Sequence, residues 1–182
     1  GVGAGGRTAS QARNAAWEQA LCPYIAFLDS DDSWHPRKLE LQYAWMSHHP
    51  EVDFCGHATK QIEHGEVPES MAAGFSVKHI DKHALLFSNR FSTRSVMLKR
   101  QLPFRFPLGQ RYSEDYQLWL SLAFHGATGA VMDVPLAYFY KEAFGVGGLT
   151  QNMAAMQHGE LQNYRQLLDA GRISWAWYKS EE

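Results

Sequence analysis

The sequence predicts an α/β fold, and three observations carry that prediction. Strand-like and helical hydrophobic patterns alternate through the first part of the chain and become more mixed later. A wholly apolar run, Tyr24 to Leu28, stands between two helical stretches, as strands of covered sheets do. Acidic residues follow that run at once, at the strand end where open α/β sheets keep their crevices. With 182 residues, 45% of them hydrophobic, the chain is long enough for one packed core.

Each element follows in order. Gly1 to Gly6 is a flexible opening with no strand signal before the first helix. From Thr8, the alanines 9, 12, 16 and 20 recur at helical spacing, a small-residue stripe suited to lying on a sheet, and Pro23 stops that helix. Tyr24 to Leu28 then reads as a strand covered on both faces in a parallel sheet. His35-Pro36 opens a second helix, because proline suits the first helical position, with Leu39, Tyr43 and Met46 on its inner face. Val52 to Cys55 reads as a short strand, and residues 60–76 as a polar surface loop. A helix is expected around His79 to Phe87 and a strand at Ser92 to Leu98.

After a loop at Pro103 to Tyr112 comes a strong helix, Glu114 to His125, with Ser113 as its N-cap and Gly126 at its end. Its buried stripe is Leu118, Trp119, Leu122 and Ala123. Val131 to Met132 and Leu136 to Tyr140 are expected strands, followed by the glycine-rich Gly145 to Gly148. Met153, Leu161, Tyr164 and Leu168 mark a C-terminal amphipathic helix. The expected division is therefore 1–150 for the α/β part and 151–182 for the helix and its aromatic tail, Ile173 to Tyr178. Packing on the domain is the first reading of that tail; a homodimer contact or a peripheral membrane contact are the others.

Composition excludes several classes. A net charge of -2, from 17 basic and 19 acidic residues spread along the chain, offers no basic stripe, so nucleic acid is not an expected partner. No apolar run approaches the roughly 20 residues of a membrane span, and no leader pattern opens the chain. The expectation is a soluble, cytoplasmic domain, with a peripheral place at the inner face of the membrane left open. Cys22 and Cys55 lack CxxC spacing and read as free thiols in a reducing compartment. His79 and His83, flanked by Lys78 and Lys82, read as a solvated face rather than a metal site.

Two acidic constellations carry chemistry. Asp29-Ser30-Asp31-Asp32 puts three carboxylates into four residues at a strand end. Like charges so close need a counter-charge, and a hard divalent cation such as Mg or Mn supplies it while keeping positions open for phosphate oxygens. The plainer reading is an acidic turn that caps the next helix. The second constellation is Glu114-Asp115: Asp115 stands four residues before Trp119 and seven before Leu122, so it projects from the apolar face of its helix. Either it only complements the helix dipole, worth about 0.3 to 1 kcal/mol, or it is a general base at the rim of a crevice.

The stretches Gly6-Arg7-Thr8-Ala9-Ser10-Gln11-Ala12-Arg13-Asn14 and Tyr24 to Asp32, with Trp34, Pro36, Lys38 and Leu39, resemble family 2 glycosyltransferases. Ser113-Glu114-Asp115-Tyr116-Gln117-Leu118-Trp119-Leu120 resembles their later ED motif, in the right order. The resemblance implies a GT-A-like (Rossmann-like) mixed sheet flanked by helices over residues 1–150. Because the family's nucleotide-binding strands come earlier, it also implies a domain incomplete at its N-terminus. It implies inverting, metal-dependent transfer of a sugar from a nucleotide-sugar donor, UDP-sugar first, to a hydroxyl of a saccharide or glycolipid acceptor, in surface polysaccharide or glycolipid synthesis.

Carried over by position, Asp29 holds the ribose or sugar side of the donor, Asp31 binds the metal with help from Asp29, and Asp32 supports that cluster. Arg13 stabilises the donor site or pairs with its acidic loop, Asp115 is the base, and Glu114 supports it or meets the acceptor. Arg94, in Thr93-Arg94-Ser95 where similar proteins have small residues, and Trp119 are the acceptor-side candidates. Lys141, before the glycine-rich segment, is a donor-side candidate for the leaving diphosphate. The alternatives are a non-catalytic glycosyltransferase-like binding module and a metal-dependent phosphoryl or nucleotidyl transferase, though the latter gives the ED helix no role.

Overall fold

The computed structural model describes residues 8–63, 66, 74–110, 112–140 and 149–181. The first helix, α1 (Ala9–Gln19), starts at a reciprocal cap: Thr8 accepts from the Gln11 amide, and the Gln11 side chain accepts from the Thr8 amide. Its buried face is Ser10 and Trp17. The alanine stripe is not: Ala9, Ala12 and Ala16 are exposed. The indole of Trp17, bonded to the Arg100 carbonyl and packed on Phe27 and Phe106, decides which way the helix faces.

Strand β1 (Tyr24–Ala26) is shorter than the apolar run and pairs antiparallel with β5 (Met97–Lys99). It is an edge strand, half-exposed rather than covered on both faces. The short β2 (Asp32–Trp34) leads to α2 (Lys38–His48), whose phase also departs from expectation. Lys38, Gln42 and Met46 are its buried residues, while Leu39 and Tyr43 are 47% and 53% exposed. Buried polar partners explain this: Lys38 Nζ donates to Gln42 Oε1 at 2.7 Å and lies over the Trp34 ring, and Gln42 donates to the carbonyls of Cys55 and Ser95.

Strand β3 (Phe54–Ile62) continues through residues expected in a loop and pairs parallel with β6 (Gly129–Tyr140). The two C-terminal strands expected separately are this one strand, its register shifting beside Pro135. Strand β4 (Val77–Ile80) precedes a short α3 (Lys82–Phe87), so His79 sits on a strand and forms no helical pair with His83. Thr93–Ser95 is a 3-10 turn rather than a strand. The sheet order is β1-β5-β3-β6-β2, with β4 also on β6, and the β3–β6 pair is its parallel one.

Helix α4 (Glu114–Phe124) buries Leu118, Trp119, Leu122 and Ala123 as expected, and Gly126 at φ +94 ends it. Against α4 lies α5 (Leu149–Asp169), and α6 (Trp175–Glu181) packs on α5. Tyr164, Leu167 and Tyr178 from these helices enter the core that holds Trp17, Phe54, Phe91 and Trp119. Trp177 packs at its margin and Trp175 is 65% exposed, so the aromatic tail packs on the domain through part of its surface.

Candidate functional site

The two acidic motifs meet at one guanidinium. Arg13, on the buried side of α1, reaches Asp29 Oδ1 with one terminal nitrogen at 2.7 Å and Glu114 Oε1 with the other at 3.0 Å. Its planar fork suits this double contact, and its side chain is only 13% exposed. Burial works against the Arg13 charge, but its bonds to Asp29 and Glu114 outweigh that and raise its pKa. The ring of Phe106 closes one face of the guanidinium.

A second arginine holds the far end of the Asp29–Asp32 loop. Arg94 donates to Asp32 Oδ1 at 2.7 Å and lies over Phe139, while its own carbonyl accepts from the Trp34 indole. Burial pushes the Asp32 carboxyl up, Arg94 pulls it down, and the like charges of Asp31 and Asp29 add to the rise. Arg94 is thus bonded to the Asp29–Asp32 loop through Asp32. Asp31 stays exposed, with no ion pair among the described residues.

Asp115 differs from all of these. Its carboxylate accepts from Thr93 Oγ1 at 3.1 Å and from the Tyr116 amide at 2.7 Å, and no ion pair reaches it among the described residues. Burial is the largest influence and raises its pKa above the usual carboxylate range; the Tyr116 amide opposes that, and Glu114 adds to it. Thr93, part of the departing triplet Thr93-Arg94-Ser95, was the only sequence signal for this contact.

Trp119 does not face a ligand. It is fully buried, bonds through Nε1 to the Phe91 carbonyl and stacks on Phe54, so its assignment to an acceptor is corrected to a core role. Ser113 does not cap α4 with its side chain either. It holds φ 57, a left-handed conformation costing a non-glycine residue about 1–2 kcal/mol. Lys141 and Gly145 to Gly148 lie outside the described residues.

Next to Thr93, a cavity of about 710 Å³ opens over the sheet. Thr59, Lys78, Asp81, Arg90, Ser92 and Asp133 line it, and the buried Ser92 Oγ has no partner. Sequence reading missed this space, because its walls come from β3, β4, α3, β6 and the connections between them.

The sequence profile described as Glycosyl transferase family 2 matches residues 4–108, more than half of the chain. The chain belongs to glycosyl transferase family 2. That match ends before Glu114, and the Arg13 bridge joins Glu114 to the matched residues. Escherichia coli WfgD, described as a UDP-Glc:alpha-D-GlcNAc-diphosphoundecaprenol beta-1,3-glucosyltransferase, is 34% identical over 116 residues, covering 63% of this chain and 44% of that protein. Bacillus subtilis TuaG, described as a putative teichuronic acid biosynthesis glycosyltransferase, is 31% identical over 133 residues, or 72% of this chain and 52% of its own. The chain spans about half the length of these curated relatives. The structure of S. aureus TarS 1-349 with UDP-GlcNAc aligns with a TM-score of 0.60 over 86% of this chain and 47% of that one, at 19% identity. This likeness is one of fold, and it confirms the expected GT-A-like mixed sheet. Among the described residues, no helix is long and apolar enough to cross a membrane.

Proposed function

We propose that this chain carries the donor loop and the base of an inverting glycosyltransferase that moves a sugar from a nucleotide-sugar donor, a UDP-sugar first, to an acceptor hydroxyl. The observation that carries the reading is Arg13, which binds Asp29 and Glu114 together and so makes two distant motifs one site. Two relatives' descriptions support the donor class: WfgD is described with UDP-Glc, and TarS was solved with UDP and with UDP-GlcNAc. The relatives' polysaccharide roles support a saccharide or glycolipid acceptor.

In this reading Asp115 accepts the acceptor's hydroxyl proton as that oxygen attacks the anomeric carbon from the face opposite the diphosphate. Burial raises its basicity, while Thr93 and the Tyr116 amide fix its direction. The cavity beside Ser92 gives the acceptor room one residue from Thr93. Arg13 and Arg94 hold the donor loop in shape against the repulsion of its own carboxylates.

For a divalent cation, the donor set is small. Asp29 and Asp32 are engaged by arginines, and no group of three metal-ligating side chains gathers among the described residues. Exposed Asp31, helped by half-exposed Asp29, fits Mg or Mn held by one or two carboxylates, with substrate phosphates completing the shell. Such an ion supplies charge stabilisation of the departing diphosphate.

Calorimetry with UDP-, GDP- and dTDP-sugars, with and without Mn, on the full-length protein tests the reading. A UDP-sugar bound more tightly with Mn is expected. No binding of any sugar nucleotide, with or without Mn, would sink it in favour of a non-catalytic module.

A further inference from the structure

The chain enters α4 through an unusual turn. Ser113 is the only non-glycine residue with positive φ among the described residues, and it immediately precedes Glu114 and Asp115. Its side chain makes no cap bond to the helix, and of its own backbone the carbonyl accepts from the Gln117 amide at 3.0 Å. A further restraint comes from α5, fifty residues away in sequence.

Asn163, 1% exposed on α5, donates through Nδ2 to the Ser113 carbonyl at 3.0 Å. Its Oδ1 accepts from Gln110 Nε2 at 2.8 Å, and Gln110 donates also to the Tyr112 carbonyl. One buried side chain thus grips the turn on both sides. Gly159, one helical turn earlier on α5, lets the same backbone come close: a Cβ there would lie 2.6 Å from the Tyr112 carbonyl oxygen. Ser113 Oγ completes the contact by donating to the Met156 carbonyl.

We propose that Asn163 is a positioning residue which, with Gly159, holds Ser113 in its left-handed conformation and thereby sets where Glu114 and Asp115 point. The inference rests on the reading of Asp115 as the base for its kinetic consequence, and on geometry alone for its structural one. A turn set from a separate helix puts the base under the control of how α5 is seated. Small displacements of a base are costly, because proton transfer requires hydrogen-bond reach.

The test uses the full-length protein. Asn163→Ala is expected to lower kcat about tenfold or more, with the donor KM changed less than about twofold, and to shift the acid limb of the pH profile. A crystal structure of the variant should show Ser113 out of the left-handed region. Adding Ser113→Gly should restore much of kcat, because glycine keeps that φ without steric cost; a purely stabilising role for Asn163 predicts no such recovery of kcat. Should Asn163→Ala not fold, Gly159→Ala, which pushes on the same turn from the other contact, carries the same measurements. A folded variant with unchanged kcat, pH profile and Ser113 geometry would overturn the proposal. Near-normal transfer by Asp115→Asn would instead overturn the choice of base, and the Ser113 geometry would still decide the positioning claim.

Discussion

The Asp29–Asp32 loop and the start of α4 carry acids of the same kind and treat them in opposite ways. At the loop, Asp29 and Asp32 are each gripped by an arginine, and Asp31 is left in solvent. At the helix, Glu114 shares Arg13 with the loop, while Asp115 is held by hydrogen bonds alone and its pKa is raised by burial. A carboxylate locked against a guanidinium is a poor proton acceptor, whereas one desolvated and aimed by neutral donors is a better one. In the reading proposed above, the loop supplies shape and charge balance and the helix proton transfer.

The largest effect should come from breaking the helix side. Asp115→Asn keeps the shape and cannot accept a proton, so kcat in single-turnover transfer should fall on the order of 100-fold or more, with donor affinity largely kept. Glu114→Gln should be milder. Near-normal transfer by Asp115→Asn would reduce that residue to a helix-terminal charge.

Next comes the link between the two regions. Arg13→Met leaves two partly buried carboxylates without a partner and should cost about 2 kcal/mol in chemical denaturation, between the values for exposed and buried pairs. It should also weaken donor binding, since the loop loses one of its two clamps. A variant as stable as the parent would show that the regions are neighbours rather than partners.

A smaller effect belongs to the exposed acid. Asp31→Asn should weaken Mn-dependent donor binding about tenfold, and metal-free thermal stability should stay nearly unchanged because a like charge is removed. Unchanged Mn dependence by calorimetry would take Asp31 out of the metal site.

What the sequence revealed divides along the same line. Local signals were readable: the start of α1 at Thr8, the apolar stripe of α4 and the acidic loop at a strand end all stand where spacing puts them. Faces decided by distant partners were not. The alanine stripe of α1 points outward because Trp17 docks on Phe27 and Phe106, and α2 turns on Lys38 and Gln42, polar residues that periodicity assigns to the surface. Trp119 was misplaced because an aromatic residue beside a site motif reads alike whether it meets a ligand or Phe54. The Arg13–Glu114 bridge and the hold of Asn163 on Ser113 join residues with no shared local pattern.

The smallest effect is one of stability, and its sign follows from the direction of a single pKa. Burial raises the Asp115 carboxyl in the folded chain above its unfolded value. The folded state therefore favours the protonated form: Asp115 contributes most to stability below the unfolded pKa, and that contribution is lost as pH rises through the folded one. Once ionised, Asp115 is a net burden on the fold, offset only in part by the Tyr116 amide and Thr93. Asn at this position carries no such burden; its Oδ1 can accept from the Tyr116 amide while its Nδ2 donates to the Thr93 hydroxyl, so Asp115→Asn should be at least as stable as the parent at pH 7. Its advantage should shrink as pH falls and vanish once the parent's carboxyl is protonated in both states. Denaturation curves of the two proteins across the acid range, each at a single ionic strength, measure this directly. An Asp115→Asn chain less stable than the parent at neutral pH, with the gap closing in acid, would show that the charge is stabilised where it stands. Asp115 would then belong with the arginine-held acids of the loop, and the distinction between the two regions would fail.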